Sequence, residues 1–148
     1  EVDSISHNIT IDTVQFYLRE VMVEDFIDEE GQLAWRVERY KKNNLQDTFQ
    51  LTDVWVQKRT TTSAERYEEN QRFVRLIFPV NEGESWNGNA YNTLEPWNYT
   101  YTNVGEPYSL DLLSFSKTLT VNQRNNVNLV NQEIAYEVYA YGIGMVYK

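Results

Sequence analysis

The sequence predicts an all-β fold, and three observations carry that prediction. Apolar and polar side chains alternate at period two along most of the 148 residues, as they must where successive strand residues point to opposite faces and only one face meets a core. Clusters of glycine, proline and asparagine punctuate the alternation at the short intervals that hairpin turns require. No window long enough for a helix carries a clean helical stripe.

Taken in order, Val14, Phe16 and Leu18 share one parity and Val21 and Val23 the other, so a long first strand with a bulge or twist at Arg19 and Glu20 is expected. Asp28-Glu29-Glu30-Gly31 reads as the hairpin loop that follows, its glycine at positive φ. Leu33, Trp35 and Val37 then alternate with Ala34, Arg36 and Glu38, and after a polar stretch Val54 and Val56 flank Trp55 in a third strand ending near Arg59. Thr60 to Gln71 is polar and reads equally as a twisted hairpin arm or one short helix.

The run Phe73 to Val80 is almost continuously apolar, as expected of a central strand covered on both faces and closed by Pro79. Asn81 to Pro107 reads as long loops around a short strand at Tyr99 to Thr102. Phe115, Leu119 and Val121 alternate with Ser116, Thr118 and Thr120, and Arg124-Asn125-Asn126 supplies a turn. Val130, Ile134, Tyr136 and Val138 share one face of the next strand, and Gly142 allows a tight reversal into the last, Ile143 to Tyr147.

These elements predict a single β domain over residues 1–148, with 1–11 as a polar N-terminal lead-in. Its expected form is one antiparallel, strongly curved sheet or partly open β-barrel of about 8–10 strands, with at most one or two short helices, because long bulged strands coil readily.

Hydrophobic content of 41% and charged content of 24% are ordinary for a globular domain. A net charge of −9 and a pI near 4.6 repel phosphate backbones, so nucleic acid is not an expected partner. The absence of cysteine removes disulfides, thiolate catalysis and thiolate metal sites together. The sequence opens on Glu1 with no methionine before it, so a processed product is expected.

Motifs for chemistry fail on context. His7, the single histidine, sits in the polar lead-in. Ser114-Phe115-Ser116-Lys117 has the Ser-x-x-Lys spacing of penicillin-binding enzymes, but it opens an alternating strand where those enzymes start a helix. Asp25, Asp28, Glu29 and Glu30 lack the alternate spacing of a calcium loop and read as a solvated hairpin tip. Glu65, Glu68, Glu69, Glu133 and Glu137 offer carboxylates for glycoside hydrolysis without a motif that selects a pair. No catalytic residue, metal ligand or cofactor is expected, and a hydrolase is the remote alternative.

One segment concentrates binding chemistry: Trp86-Asn87-Gly88-Asn89-Ala90-Tyr91-Asn92 followed by Trp97, Tyr99 and Tyr101. Sugars stack their C–H faces on aromatic rings and exchange hydrogen bonds with neutral amides. Trp86, Asn87, Asn89, Tyr91, Trp97 and Tyr99 are therefore the candidate ligand-binding residues, in a non-enzymatic binding or structural domain with a carbohydrate as the first expected ligand. The second is an apolar or lipid molecule held in the concave face of the sheet.

Phe78-Pro79-Val80-Asn81-Glu82-Gly83, the Trp86 to Asn92 segment and the ending Tyr136 to Lys148, with Gly142-Ile143-Gly144, resemble lipoproteins of the Gram-negative bacterial envelope to which no activity is attached. The resemblance is close over the second half and loose over the first. It implies a periplasmic or outer-membrane-anchored location, with the membrane reached only through a lipidated cysteine upstream of Glu1. It also implies a half-barrel sheet whose last strands are joined by the Gly-Ile-Gly turn.

Overall fold

The computed structural model describes residues 16–127 and 132–148, so Val14, Val130, His7 and the N-terminal lead-in lie outside the described residues. The fold is all-β, with twelve antiparallel strands and no helix among the described residues. The first sheet is a meander in the order β1 (Tyr17–Ile27), β2 (Leu33–Lys42), β3 (Gln50–Arg59), β4 (Ser63–Glu68) and β5 (Gln71–Ile77). The second runs β12 (Gly144–Tyr147), β11 (Gln132–Ala140), β10 (Thr118–Val127), β7 (Asn98–Thr102) and β6 (Ser85–Asn87). A two-stranded ribbon, β8 (Tyr108–Leu110) and β9 (Leu113–Phe115), lies apart from both.

Neither sheet is closed or strongly curled. Where the alternation predicts one curved sheet or partly open barrel, the ladder breaks after β5 into two open sheets. Pro79 sits at that break, and a proline has no N–H to donate to a ladder. The polar stretch after Arg59 resolves as the hairpin arm β4. The predicted turn at Arg124 to Asn126 is instead strand: these residues continue β10 and pair with Ala135, Ile134 and Glu133.

The core joins the two sheets. Tyr99, Tyr101 and Val121 are its fully buried centre, with Leu76, Ile77, Val80, Trp86, Trp97, Val104, Leu119 and Tyr139 packed around them. β5 is the last strand of its sheet, yet its free edge is not left to water. Val74 N donates to Gly88 O at 2.9 Å and Val74 O accepts from Trp86 Nε1 at 2.9 Å. Three residues on, Ile77 N donates to the Tyr101 hydroxyl and Ile77 O accepts from it, both at 2.9 Å. Burial of that phenol pushes its pKa up to about 12. The apolar run Phe73 to Val80 is thus explained by the second sheet lying against an edge strand, not by a strand on either side.

Gly88 is required by this packing: a Cβ there would lie 2.4 Å from the ring of Tyr99. Its role is close approach and not turn geometry. Gly31, at φ 74°, and Gly142, at φ 74°, fill the turn roles expected of them in the β1–β2 and β11–β12 reversals.

The first sheet departs from simple alternation. The bulge in β1 falls between Met22 and Glu24 and not at Arg19 and Glu20. Every residue of β1 is exposed, so neither face imposes a single parity on it. In β2, Ala34 and Val37 are buried while Leu33 is exposed, and in β3 Trp55 is buried while Val54 is exposed. Ala34 is covered because it pairs with Lys58, the centre of a buried ion cluster on that face.

That cluster corrects the reading of Asp28 to Glu30 as a merely solvated tip. The Lys58 side chain is 0% exposed, and its ammonium lies 3.0 Å from Asp28 and 3.9 Å from Glu65, with Glu30 also in contact. Arg72 bridges Glu65 at 2.7 Å and Glu30 at 2.8 Å. Burial opposes the charge on Lys58, but Glu30, Asp28 and Tyr67 outweigh it and hold its pKa above the ordinary lysine value.

Replacing Tyr101 with phenylalanine removes the one group that satisfies both Ile77 N and Ile77 O. We expect a loss of about 2 kcal/mol in urea unfolding, since two buried backbone groups lose their partner. A loss near zero would show that water replaces the hydroxyl and that the clamp does not hold the sheets.

Candidate functional site

The segment predicted to carry the site forms the β6–β7 hairpin and its loop, with Ser85, Trp86 and Asn87 paired to Thr100, Tyr99 and Asn98. Its amides are committed to the fold. Asn87 Oδ1 accepts from Asn89 N at 3.0 Å and Trp97 N at 2.9 Å. Asn89 is buried and its Nδ2 donates to Glu95 O at 2.7 Å. Asn92 Nδ2 reaches Arg72 O at 3.0 Å and so fixes the loop to the end of β5.

Among the rings, Tyr99 is 1% exposed, while Trp86 is half-buried against Tyr99 and Tyr101 at centroid distances of 5.8 and 4.5 Å. Trp97 is half-buried, packs edge-on against Tyr99 and donates its Nε1 proton to Gln123 O. Tyr91 alone of the six stands out in solvent, at 59% exposure, with the Arg72 guanidinium 4.6 Å from its ring centre. The hairpin thus gathers five of the predicted residues into the joint between the sheets and leaves one ring at the surface.

A different surface forms a cleft. It is a groove of about 980 Å³ on the outer face of the second sheet, opposite the Tyr99 and Tyr101 face, walled by the 102–108 segment. Thr102 on β7, Thr118, Thr120 and Asn122 on β10, and Ile134, Tyr136 and Val138 on β11 line it, with Tyr108 from the ribbon. The register explains why these residues meet. Thr120 pairs with both Thr102 and Val138, and Asn122 pairs with Tyr136, and directly opposed residues share a face.

The groove has a polar floor and an aromatic end. Asn122 Nδ2 donates to Thr102 Oγ1 at 2.8 Å, and Asn103 Nδ2 donates to Thr120 Oγ1 at 3.4 Å. A hydroxyl that accepts in this way keeps its own proton to donate. Tyr136 stacks on Tyr147 with centroids 5.2 Å apart and an interplanar angle of 23°, and Tyr108 lies 6.1 Å from Tyr147. The hydrogen bond with Tyr147 raises the pKa of the Tyr136 phenol, so that ring is neutral at physiological pH. The charged members are the exposed Glu82 and Glu106, and Glu82 Oε2 accepts from Val104 N at 2.8 Å.

These groove residues are not in the predicted set, although two signals mark them. Thr118 and Thr120 occupy the parity opposite Leu119 and Val121, and Ile134, Tyr136 and Val138 share one face as their spacing predicts. What the spacing omits is that a ribbon and a loop wall this face into a cleft.

Three of the carboxylates weighed for hydrolysis, Glu65, Glu68 and Glu137, serve ion pairs. Glu65 is buried between Lys58 and Arg72. Glu137, 2% exposed, lies 3.6 Å from Arg75 and 3.3 Å from Lys148 and accepts from the Tyr139 hydroxyl at 2.7 Å. Glu68 holds the other side of Arg75 at 2.6 Å. The Glu133 side chain lies outside the described residues. Ser114 and Lys117 have separate neighbours: Ser114 meets Ser109 at 3.2 Å, and Lys117 lies over the Tyr141 ring. No group of three acidic, histidine or cysteine side chains that could hold a metal ion occurs among the described residues.

No protein-family model matches the chain, and no curated protein or solved structure matches it.

Glu137 gives the seam between the sheets its pH dependence. Burial raises a carboxyl pKa, but Arg75, the Tyr139 hydroxyl and Lys148 together hold this one below its ordinary 4.5. A depressed carboxyl stabilises the fold above the unfolded value, and that stability is lost as pH falls through the folded value. We therefore expect Glu137→Gln to be less stable than the parent by about 3 kcal/mol at pH 7. The gap should shrink below pH 4.5. A gap in urea midpoints that stays constant with pH would contradict this assignment.

Proposed function

We propose that the chain is a non-enzymatic carbohydrate-binding domain whose ligand lies in the outer groove of the second sheet. The observation that carries the reading is the composition of that groove: hydroxyl and amide side chains along its floor, tyrosine rings at one end, and carboxylates confined to exposed rim positions. Sugar hydroxyls both donate and accept, and threonine and asparagine offer both roles without a net charge to desolvate. The apolar face of a pyranose takes the flat surface of Tyr108 or Tyr136. A cleft of about 980 Å³ suits a short oligosaccharide. The acidic balance favours a neutral or amino sugar over an acidic one.

The setting we propose is the bacterial cell envelope, in keeping with the lipoprotein resemblance, where extracellular glycans are accessible. Glu65 is engaged by Lys58 and Arg72 and Glu137 by Arg75 and Lys148, and carboxylates committed to such ion pairs favour binding over hydrolysis.

The test is calorimetric titration with a panel of neutral and amino-sugar oligosaccharides, run on the parent, Tyr136→Ala, Thr120→Val and Tyr91→Ala. A ring and a hydrogen bond are each worth about 1 kcal/mol, so Tyr136→Ala and Thr120→Val should each weaken binding about fivefold to tenfold. Tyr91→Ala should leave it unchanged. Binding lost only in Tyr91→Ala would move the site to the β6–β7 loop, and silence across the panel would sink the glycan reading.

A further inference from the structure

Among the described residues, β1 is the free edge of the first sheet. It pairs with β2 on one side, and all eleven of its residues are exposed. An edge strand presents unpaired N–H and C=O groups that accept another strand unless something blocks it. The sequence of β1 is symmetric in its pattern. About Met22, the order is apolar Tyr17-Leu18, charged Arg19-Glu20, apolar Val21-Met22-Val23, charged Glu24-Asp25 and apolar Phe26-Ile27. Exact pairing about Met22 would set Glu20 against Glu24, so the pattern allows two copies to meet antiparallel about a twofold axis only in a register offset from that centre.

The bulge selects the register. Tyr17, Arg19, Glu24 and Phe26 pair with Lys42, Tyr40, Arg36 and Ala34 of β2, alternate residues of an unbulged strand, so all four share one face. Two coplanar copies must align like faces. Placing Tyr17 opposite Phe26 does so, and it sets Arg19 opposite Glu24, with each pair occurring twice. On the other face the same register brings Phe16 opposite Ile27. Of the two neighbouring registers that also keep the faces, one sets Glu20 against Asp25, like charge on like charge, and the other leaves Arg19 without an acidic partner.

We propose that a second copy of this chain pairs antiparallel with the β1 edge in the Tyr17–Phe26, Arg19–Glu24 register, joining two five-stranded sheets into one of ten strands. The charged partners are accessible. The Glu24 side chain is 58% exposed beside Arg36, and Arg19 is held over the rings of Tyr40 and Phe49 at 4.7 and 4.9 Å. A guanidinium stacked on rings keeps its edge donors for a carboxylate. The twofold closes the assembly at a dimer, because each copy uses its single β1 edge.

The experiment is sedimentation velocity of the whole chain from low micromolar to millimolar concentration. We expect a monomer–dimer equilibrium. Arg19→Glu or Glu24→Arg alone should raise the dimer dissociation constant about tenfold or more, because two attractive pairs become repulsive. The double variant R19E/E24R should restore it. Circular dichroism checks each fold, and Arg19→Gln replaces a reversal that does not fold. Four results would overturn the proposal: a monomer at every concentration, a dimer indifferent to both reversals, growth into fibres, or capture of an unrelated extended peptide by a chain that does not self-associate.

Discussion

Everything in this fold depends on how the free edge of β5 is satisfied. An exposed backbone edge at the middle of a domain would leave buried N–H and C=O groups without partners, each a cost comparable to a lost hydrogen bond. Here the second sheet supplies those partners from side chains and a loop: Gly88 O and the Trp86 indole to Val74, and the Tyr101 hydroxyl to both polar groups of Ile77. The aromatic residues whose sequence pattern predicts a ligand site are thereby drawn into structural work. Because the inner face of the second sheet is taken up by this joint, its outer face is left to carry the groove.

The charge distribution follows the same logic. A chain with a net charge of −9 has more carboxylates than cations, and Lys58, Arg72, Arg75 and Lys148 gather where the carboxylates of Glu65 and Glu137 are buried. Arg75 meets Glu68 and Glu137 at the seam between the sheets, while Lys58 and Arg72 hold Asp28, Glu30 and Glu65 on one face of the first. Such pairs are weak evidence for net stability, since desolvation offsets much of their attraction. Their effect is to fix which strand lies where: the β1–β2 turn is drawn down onto β3 through Lys58, and β11 is drawn onto β5 through Arg75.

The two ends of the chain then differ in kind. The second sheet is packed on its inner face and walled on its outer one. The first sheet loses cover toward β1, where apolar residues on both faces meet solvent. A strand with one buried face is held to a single parity, whereas β1 obeys no single parity because no core selects one. Its symmetry about Met22 is the pattern that remains when packing within the monomer imposes none.

Much of the architecture was legible in the residues themselves. Strand alternation from Thr118 to Val121 and from Ile134 to Val138 and the turns at Gly31 and Gly142 follow from local geometry, because strand period and turn conformation are properties of a few neighbouring residues, whereas Phe115 ends the ribbon strand β9 and is cut off from β10 by the bend at Ser116 and Lys117. Alternation says that two faces differ, but not which face meets another sheet. So it is the tertiary structure that buries Trp55 and leaves Val54 exposed, and the tyrosines and asparagines from Trp86 to Tyr99 serve the joint between the sheets. The groove was hidden for the same reason, since Thr102, Thr120, Asn122, Tyr108 and Tyr136 are brought together by pairing between strands distant in sequence. The sequence by itself determined the all-β class and most strands, since these rest on local backbone and side-chain preferences. Only the tertiary structure decided the division into two sheets, the joint at β5 and the surface left open for a ligand, because these rest on contacts whose partners no local pattern names.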